Sequence, residues 1–112
     1  MIGKIGIALV AAVVAFIMGM RVIAQRAPRP DRMGVAKNQL IPCPNSANCV
    51  SSFESLDPLK YAGNRNSAIT ALVTVLQSWP RAEVVQVTET YIHVEFRSRV
   101  FSFIDDGEFY FP

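Results

Sequence analysis

An uncharged apolar stretch near the N terminus most limits how this chain can fold. Residues 5–20 contain no charged or strongly polar side chain, and Lys4 and Arg21 bound them. As an α-helix this stretch reaches about 24 Å, short of a hydrocarbon core of about 30 Å. If Lys4 and Arg21 extend their charges to the membrane surfaces, the usable stretch becomes 2–24 and reaches about 34 Å. Residues 1–24 are therefore predicted to be a membrane anchor or signal segment, and the anchor is the favoured interpretation.

A cleaved signal peptide is the alternative interpretation of residues 1–24. Lys4 would form its positively charged N-terminal region, and residues 22–24 would offer the cleavage site. Arg21 argues against cleavage because it puts a charge just before the cut. The arginines that follow the stretch favour a cytoplasmic domain, since loops with more Lys and Arg stay inside.

The rest of the chain is long enough for one small domain. The protein has 112 residues, and the two prolines of 27–32 favour an extended chain that ends any preceding helix. We interpret 25–39 as a linker whose arginines lie in solvent or near lipid headgroups, and 40–112 as the domain. The formal net charge of +2 is too small to predict a nucleic-acid partner.

Two cysteines lie in a segment of Pro, Asn and Ser. Cys43 and Cys49 are the only cysteines, and their surroundings favour turns over helix or central strand. Their spacing is neither that of thiol oxidoreductases nor a usual zinc spacing. We predict a disulfide between Cys43 and Cys49, which favours an oxidising compartment. A metal or redox site is the less favoured alternative.

The domain shows one helical pattern followed by alternating patterns. Asn66 or Ser67 is predicted to cap a helix that Pro80 ends. Its apolar side chains are spaced for one buried face: Ile69, Leu72, Val73 and Leu76, with Trp79 close to the same face. Four short antiparallel strands are predicted around 85–87, 92–96, 101–103 and 109–111, with turns near 89–90, 98–99 and 106–107.

Two polar groups are weak candidates for chemistry. His93, Glu95 and Arg97 share one face of a predicted strand and could act as acid, base and anion clamp, although a solvated sheet face is the default for such alternation. Asp105 and Asp106 could bind a cation, but Asp-Gly also favours a hairpin turn. No Walker loop, nucleophile elbow or dinucleotide fingerprint occurs. The sequence predicts no cofactor or metal site.

Several segments together carry a resemblance to a known family. Cys43-Pro44 and Asn48-Cys49-Val50-Ser51-Ser52 resemble the opening signature of the domain-of-unknown-function 1499 family. The segments 79–81, 91–98 and 103–109 are similar to its helix end, central strand and aspartate pair. Gly107 stands where the family usually has an apolar residue. The resemblance implies a further Arg/Ser-rich strand and closing helix after Pro112, so that 40–112 is a C-terminally short member.

The resemblance implies a fold and an exported location, but no reaction. Together with the residue patterns it predicts an α+β protein, in which an N-terminal transmembrane helix precedes a small antiparallel sheet packed on one helix. The expected location is the bacterial inner membrane, with a single span and a periplasmic C-terminal domain. We expect a binding or interaction module whose partners are the bilayer and a protein or a second copy. A hydrolase or metal-dependent enzyme using His93, Asp105 and Asp106 is the alternative.

Overall fold

The computed structural model of the protein describes residues 3–26, 29–30, 33–44 and 48–112. Parts of the predicted linker, 27–28 and 31–32, and of the cysteine segment, 45–47, lie outside these residues. The elements run in the order α1 (Lys4–Arg26), β1 (Val35–Ala36), β2 (Gln39–Leu40), α2 (Arg65–Ser78), β3 (Ala82–Val87), β4 (Tyr91–Arg97) and β5 (Ile104–Tyr110). The predicted α+β class is confirmed.

Helix α1 forms over the apolar N-terminal stretch. Its 23 residues contain no proline, and most of its large apolar side chains are exposed. Within the described part of the chain, α1 is the one helix long and apolar enough to cross a membrane, and a signal sequence near the N terminus has the same properties. The helix could therefore insert into a bilayer.

Helix α2 begins and ends at local signals. Asn64 is its N-cap and accepts a hydrogen bond from the Ser67 amide at 2.8 Å, so the cap lies two residues before the predicted Asn66. The helix ends at Ser78, ahead of Pro80, because proline cannot continue it. Trp79 leaves the helical stripe, and 56% of its surface is exposed. Its predicted place near the buried face is wrong.

The main sheet has three antiparallel strands in the order β3-β4-β5. The predicted strand at 101–103 and the predicted turn at 106–107 are wrong, because Asp106 and Gly107 lie inside β5 and pair with Glu95 and Val94. Residues 101–103 belong instead to the loop between β4 and β5. The predicted turn at 89–90 is confirmed between β3 and β4.

The core lies between α2 and one face of the sheet. Ile92 and Val94 of β4 are fully buried there, because alternate residues of a strand point to one face. They pack with Ile69 and Leu76 of α2 and with Phe111. The opposite face carries the polar residues of β4. This face was expected to be solvated, yet His93 is 6% and Glu95 3% exposed.

The segment after α1 covers this polar face. Arg29 and Gly34 hydrogen-bond to side chains of β4 and β5, and β1 and β2 form a short hairpin next in the chain. The hairpin turn consists of Lys37 and Asn38, both at positive φ, as a two-residue turn of this kind requires. Residues that the sequence analysis interpreted as a linker therefore cover the polar face.

Candidate functional site

Three side chains meet on the covered face of the sheet, and we call them the acidic cluster: His93, Glu95 and Asp106. Glu95 and Asp106 are direct partners across β4 and β5. His93 Nε2 lies 2.7 Å from Asp106 Oδ1, and because a carboxylate only accepts, the imidazole donates through Nε2. One ligand atom from each residue lies within 4.8 Å of the others.

Arg29 balances part of the charge of the acidic cluster. Its Nε donates to Glu95 Oε2 at 3.1 Å and its Nη2 donates to Oε1 at 3.2 Å, a two-point contact that suits guanidinium and carboxylate. The Arg29 side chain is 60% exposed, whereas that of Glu95 is 4% exposed. The hydrogen bond from Arg29, and then its positive charge, lower the pKa of Glu95 despite burial.

A second polar group lies beside the cluster at Tyr91 and Glu108. The Tyr91 hydroxyl donates to Glu108 Oε1 at 2.6 Å, and the Gly34 amide donates to the same oxygen at 2.6 Å. Burial, and then the hydrogen bond to Glu108, raise the pKa of Tyr91 above its ordinary value. The tyrosine therefore stays protonated and holds Glu108 in place.

Two small cavities flank Arg29 and Pro30. One, of about 210 Å³, reaches Glu95 and Asp106 under Ala24 and Phe103. The other, of about 180 Å³, reaches His93 and Tyr91. The Arg29-Pro30 segment thus lies between two openings onto the same polar face.

The cluster has the donor set of a cation site. Imidazole nitrogen and carboxylate oxygen are ordinary ligands of divalent metals, and Glu95 opposite Asp106 would repel without a positive partner. Glu95 has a carboxylate partner on each neighbouring strand, Glu83 and Asp106. All three carboxylates interact electrostatically with the Arg29 guanidinium. Every buried side-chain nitrogen or oxygen in the described residues has a hydrogen-bond partner.

The remaining sequence candidates are not members of the cluster. Asp105 is the partner of Phe96, and alternation turns it to the face opposite Asp106. Arg97 lies at the end of β4 on the same face as Glu95, and its positive charge helps to lower the pKa of Glu95. Cys43 and Cys49 form the predicted disulfide, with Cα atoms 5.8 Å apart.

Two residues of the site were missed from the sequence. Glu108 follows Asp106 at strand period, which could have placed it on the same face if 104–110 had been recognised as one strand. Arg29 contacts Glu95 across 66 positions of sequence, and no local pattern indicates such a contact.

The chain matches the family described as "Protein of unknown function (DUF1499)" over residues 39–112. This match covers more than half of the chain, and the protein belongs to that family. No curated protein and no solved structure shows significant similarity to it. The match begins after Arg29, so the family region contains the acidic cluster but not the arginine that pairs with Glu95.

Proposed function

We propose that this protein is a binding module of the bacterial envelope, anchored by α1 in the inner membrane with its domain in the periplasm. The ligand is a divalent cation held by the acidic cluster. The observation that carries the proposal is the approach of His93, Glu95 and Asp106 within 4.8 Å on a nearly buried face. A cation there would relieve the repulsion between Glu95 and Asp106.

Arg29 acts in this proposal as an internal substitute for the cation. Its guanidinium already supplies positive charge to Glu95, and its side chain is largely exposed, so it can swing away when a cation takes over the buried carboxylate. A bound cation and Arg29 then compete for the same carboxylate. Removing Arg29 is therefore expected to strengthen cation binding rather than weaken it.

The disulfide supports the periplasmic side. Cys43–Cys49 is closed, and such bonds persist in oxidising compartments. The arginines after α1 favour the opposite orientation, so the topology needs a direct measurement. Alkaline phosphatase, which is active only outside the cytoplasm, is fused after Pro112. An active fusion supports the proposal, and an inactive fusion at equal expression refutes the orientation.

Anchoring is tested by extracting membranes with carbonate. Retention of the intact chain in the pellet supports the anchor. Soluble protein trimmed near Ala24 would identify α1 as a signal peptide and contradict the proposal.

Cation binding is measured by calorimetry on the full chain in detergent, titrated with Zn²⁺, Mn²⁺, Mg²⁺ and Ca²⁺ in turn. Asp106→Asn should abolish binding, whereas Asp105→Asn, the same change one residue away on the other face, should leave it intact. Arg29→Ala should tighten binding, with Arg26→Ala as the matched control on the exposed end of α1. Equal effects of the two aspartate variants, or no binding of any cation, would refute the site.

A metal-dependent hydrolase is the second candidate. The observation in its favour is the paired His93 and Asp106, which together with Glu95 would hold a metal ion that supplies an activated water. Asp105, expected to take part, lies on the other face and is not included. Metal-dependent turnover of nitrophenyl esters or phosphates that is lost in His93→Gln would favour the enzyme. Binding without turnover would favour the module.

A further inference from the structure

The loop between β4 and β5, residues 98–103, touches α1 in its apolar part. The Phe16 and Phe101 rings meet edge to face with centroids 5.9 Å apart. Five residues further along the helix, Arg21 Nε donates to Ser102 Oγ at 3.1 Å. These two contacts place the loop alongside the segment 16–21 of α1.

The contacts with α1 determine how deep the loop would lie in a membrane. Arg21 is the first charge after the apolar stretch, so its guanidinium belongs at the headgroups of a membrane that α1 spans. Phe16 then lies about 7.5 Å below Arg21 along the helix axis. Because Phe101 packs on Phe16, the loop must reach the boundary between headgroups and acyl chains.

The loop is ordered by its own hydrogen bonds. The Ser98 amide donates to the Phe103 carbonyl at 2.8 Å, and the Ser102 amide donates to the Ser98 carbonyl at 3.1 Å. The Phe103 amide donates to Ser98 Oγ at 2.9 Å. Backbone groups paired within the loop can leave water at a low cost.

The outward surface of the loop is apolar and its surroundings are basic. Val100 is 49% and Phe103 42% exposed, and no acidic residue occurs from 96 to 104. Arg99 lies in the loop and is exposed. Arg81 lies beside it, since its Nε donates to the Arg97 carbonyl at 3.3 Å. Aromatic side chains with arginines nearby are typical of surfaces that bind the membrane interface.

We propose that residues 98–103 insert into the lipid interface beside α1, giving the domain a second contact with the bilayer. The proposal rests on the anchoring part of the proposed function and is independent of the cation and of the side of the membrane. Val100, Phe101 and Phe103 enter the acyl boundary, and Arg99 and Arg81 bind anionic headgroups.

Tryptophan fluorescence of the full chain in vesicles tests the insertion. Trp79 is the only tryptophan, so Trp79→Phe gives a silent background in which Val100→Trp reports the loop. Tyr61→Trp is the matched control, because Tyr61 is equally exposed, at 50%, but lies far from the loop. Its ring packs against Phe111, whose amide donates to the Thr90 carbonyl at the opposite end of the sheet.

We expect lipids brominated near the headgroup end of their acyl chains to quench most of the fluorescence of Val100→Trp, and aqueous iodide to quench little. The control should show the reverse. Phe103→Trp should repeat the loop result if Val100→Trp folds poorly. Replacing neutral lipid by phosphatidylglycerol should shift the emission of the loop reporter further to the blue.

Iodide quenching of both loop reporters to the level of the control would overturn the inserted loop. Carbonate extraction of the same vesicles separates the two proposals. Retained protein with a water-exposed loop refutes the loop alone, whereas released protein refutes the anchor on which both depend.

Discussion

Replacing Gly107 by alanine should destabilise the domain. Gly107 lies in β5 opposite Val94. A Cβ built there would lie 2.9 Å from Phe96 Cε2 and 3.0 Å from Val94 Cγ1. Ordinary carbon contacts lie at about 3.5–4.0 Å, so one methyl group must push at least one neighbour aside.

The cost depends on which neighbour yields. Val94 is fully buried and packs within the core against α2, so it has no free space to enter. The far edge of the Phe96 ring can turn outward, but it then loses packing. Inserting a methyl group into a filled core typically costs about 1–3 kcal/mol, and we expect Gly107→Ala to fall in this range.

Urea unfolding of the full chain in detergent, followed by near-ultraviolet circular dichroism, measures the loss. Phe96→Leu shortens the side chain that the new methyl group meets. The double variant should therefore lose less stability than the sum of the two single variants, by about 0.5 kcal/mol or more. A Gly107→Ala protein within about 0.5 kcal/mol of the parent, or strict additivity, would refute the reasoning.

Three further outcomes follow from the polar face and the disulfide. His93→Ala should cost about 1–3 kcal/mol by urea unfolding, because it empties the space of a buried imidazole and removes its hydrogen bond to Asp106. The pKa of Glu95 is lowered in the fold, so its contribution to stability is present above its unfolded pKa and is lost as the pH falls through its folded pKa. Melting temperatures should therefore drop on acidification, and Glu95→Gln should make the melting temperature depend less steeply on pH. Cys43→Ser should cost about 2 kcal/mol by opening a short loop, and an unchanged melt would contradict a structural disulfide.

The sequence predicted the elements whose periodicity comes from burial on one side. Ile69 and Leu76 repeat at helical spacing, and Ile92 and Val94 alternate in a strand, because each set faces the same core. All four are buried in the structure. The disulfide was equally predictable, since only two cysteines exist and they lie close in sequence.

The predictions from sequence failed where both faces of the sheet are covered. Alternation shows which side chains share a face, but it does not show whether chain from elsewhere lies over that face. Glu95 is 3% exposed because Arg29, far away in sequence, binds it. Asp106-Gly107 has the composition of a turn, yet pairing with Glu95 and Val94 keeps both residues in β5.

Two arginine contacts, one on each side of the end of α1, limit how far the domain can move relative to the helix. Arg21 is bonded to Ser102 and Arg29 to Glu95, so the chain is attached to the domain at both of these positions. A free linker would let the domain sample a wide volume above the membrane and lose conformational entropy on each encounter. Because the two contacts already restrict the domain, this conformational entropy is lost on folding and not on binding. In the proposed membrane-anchored protein, the cavities beside Arg29 would be held at a fixed height above the bilayer, suited to a ligand that arrives along the membrane surface.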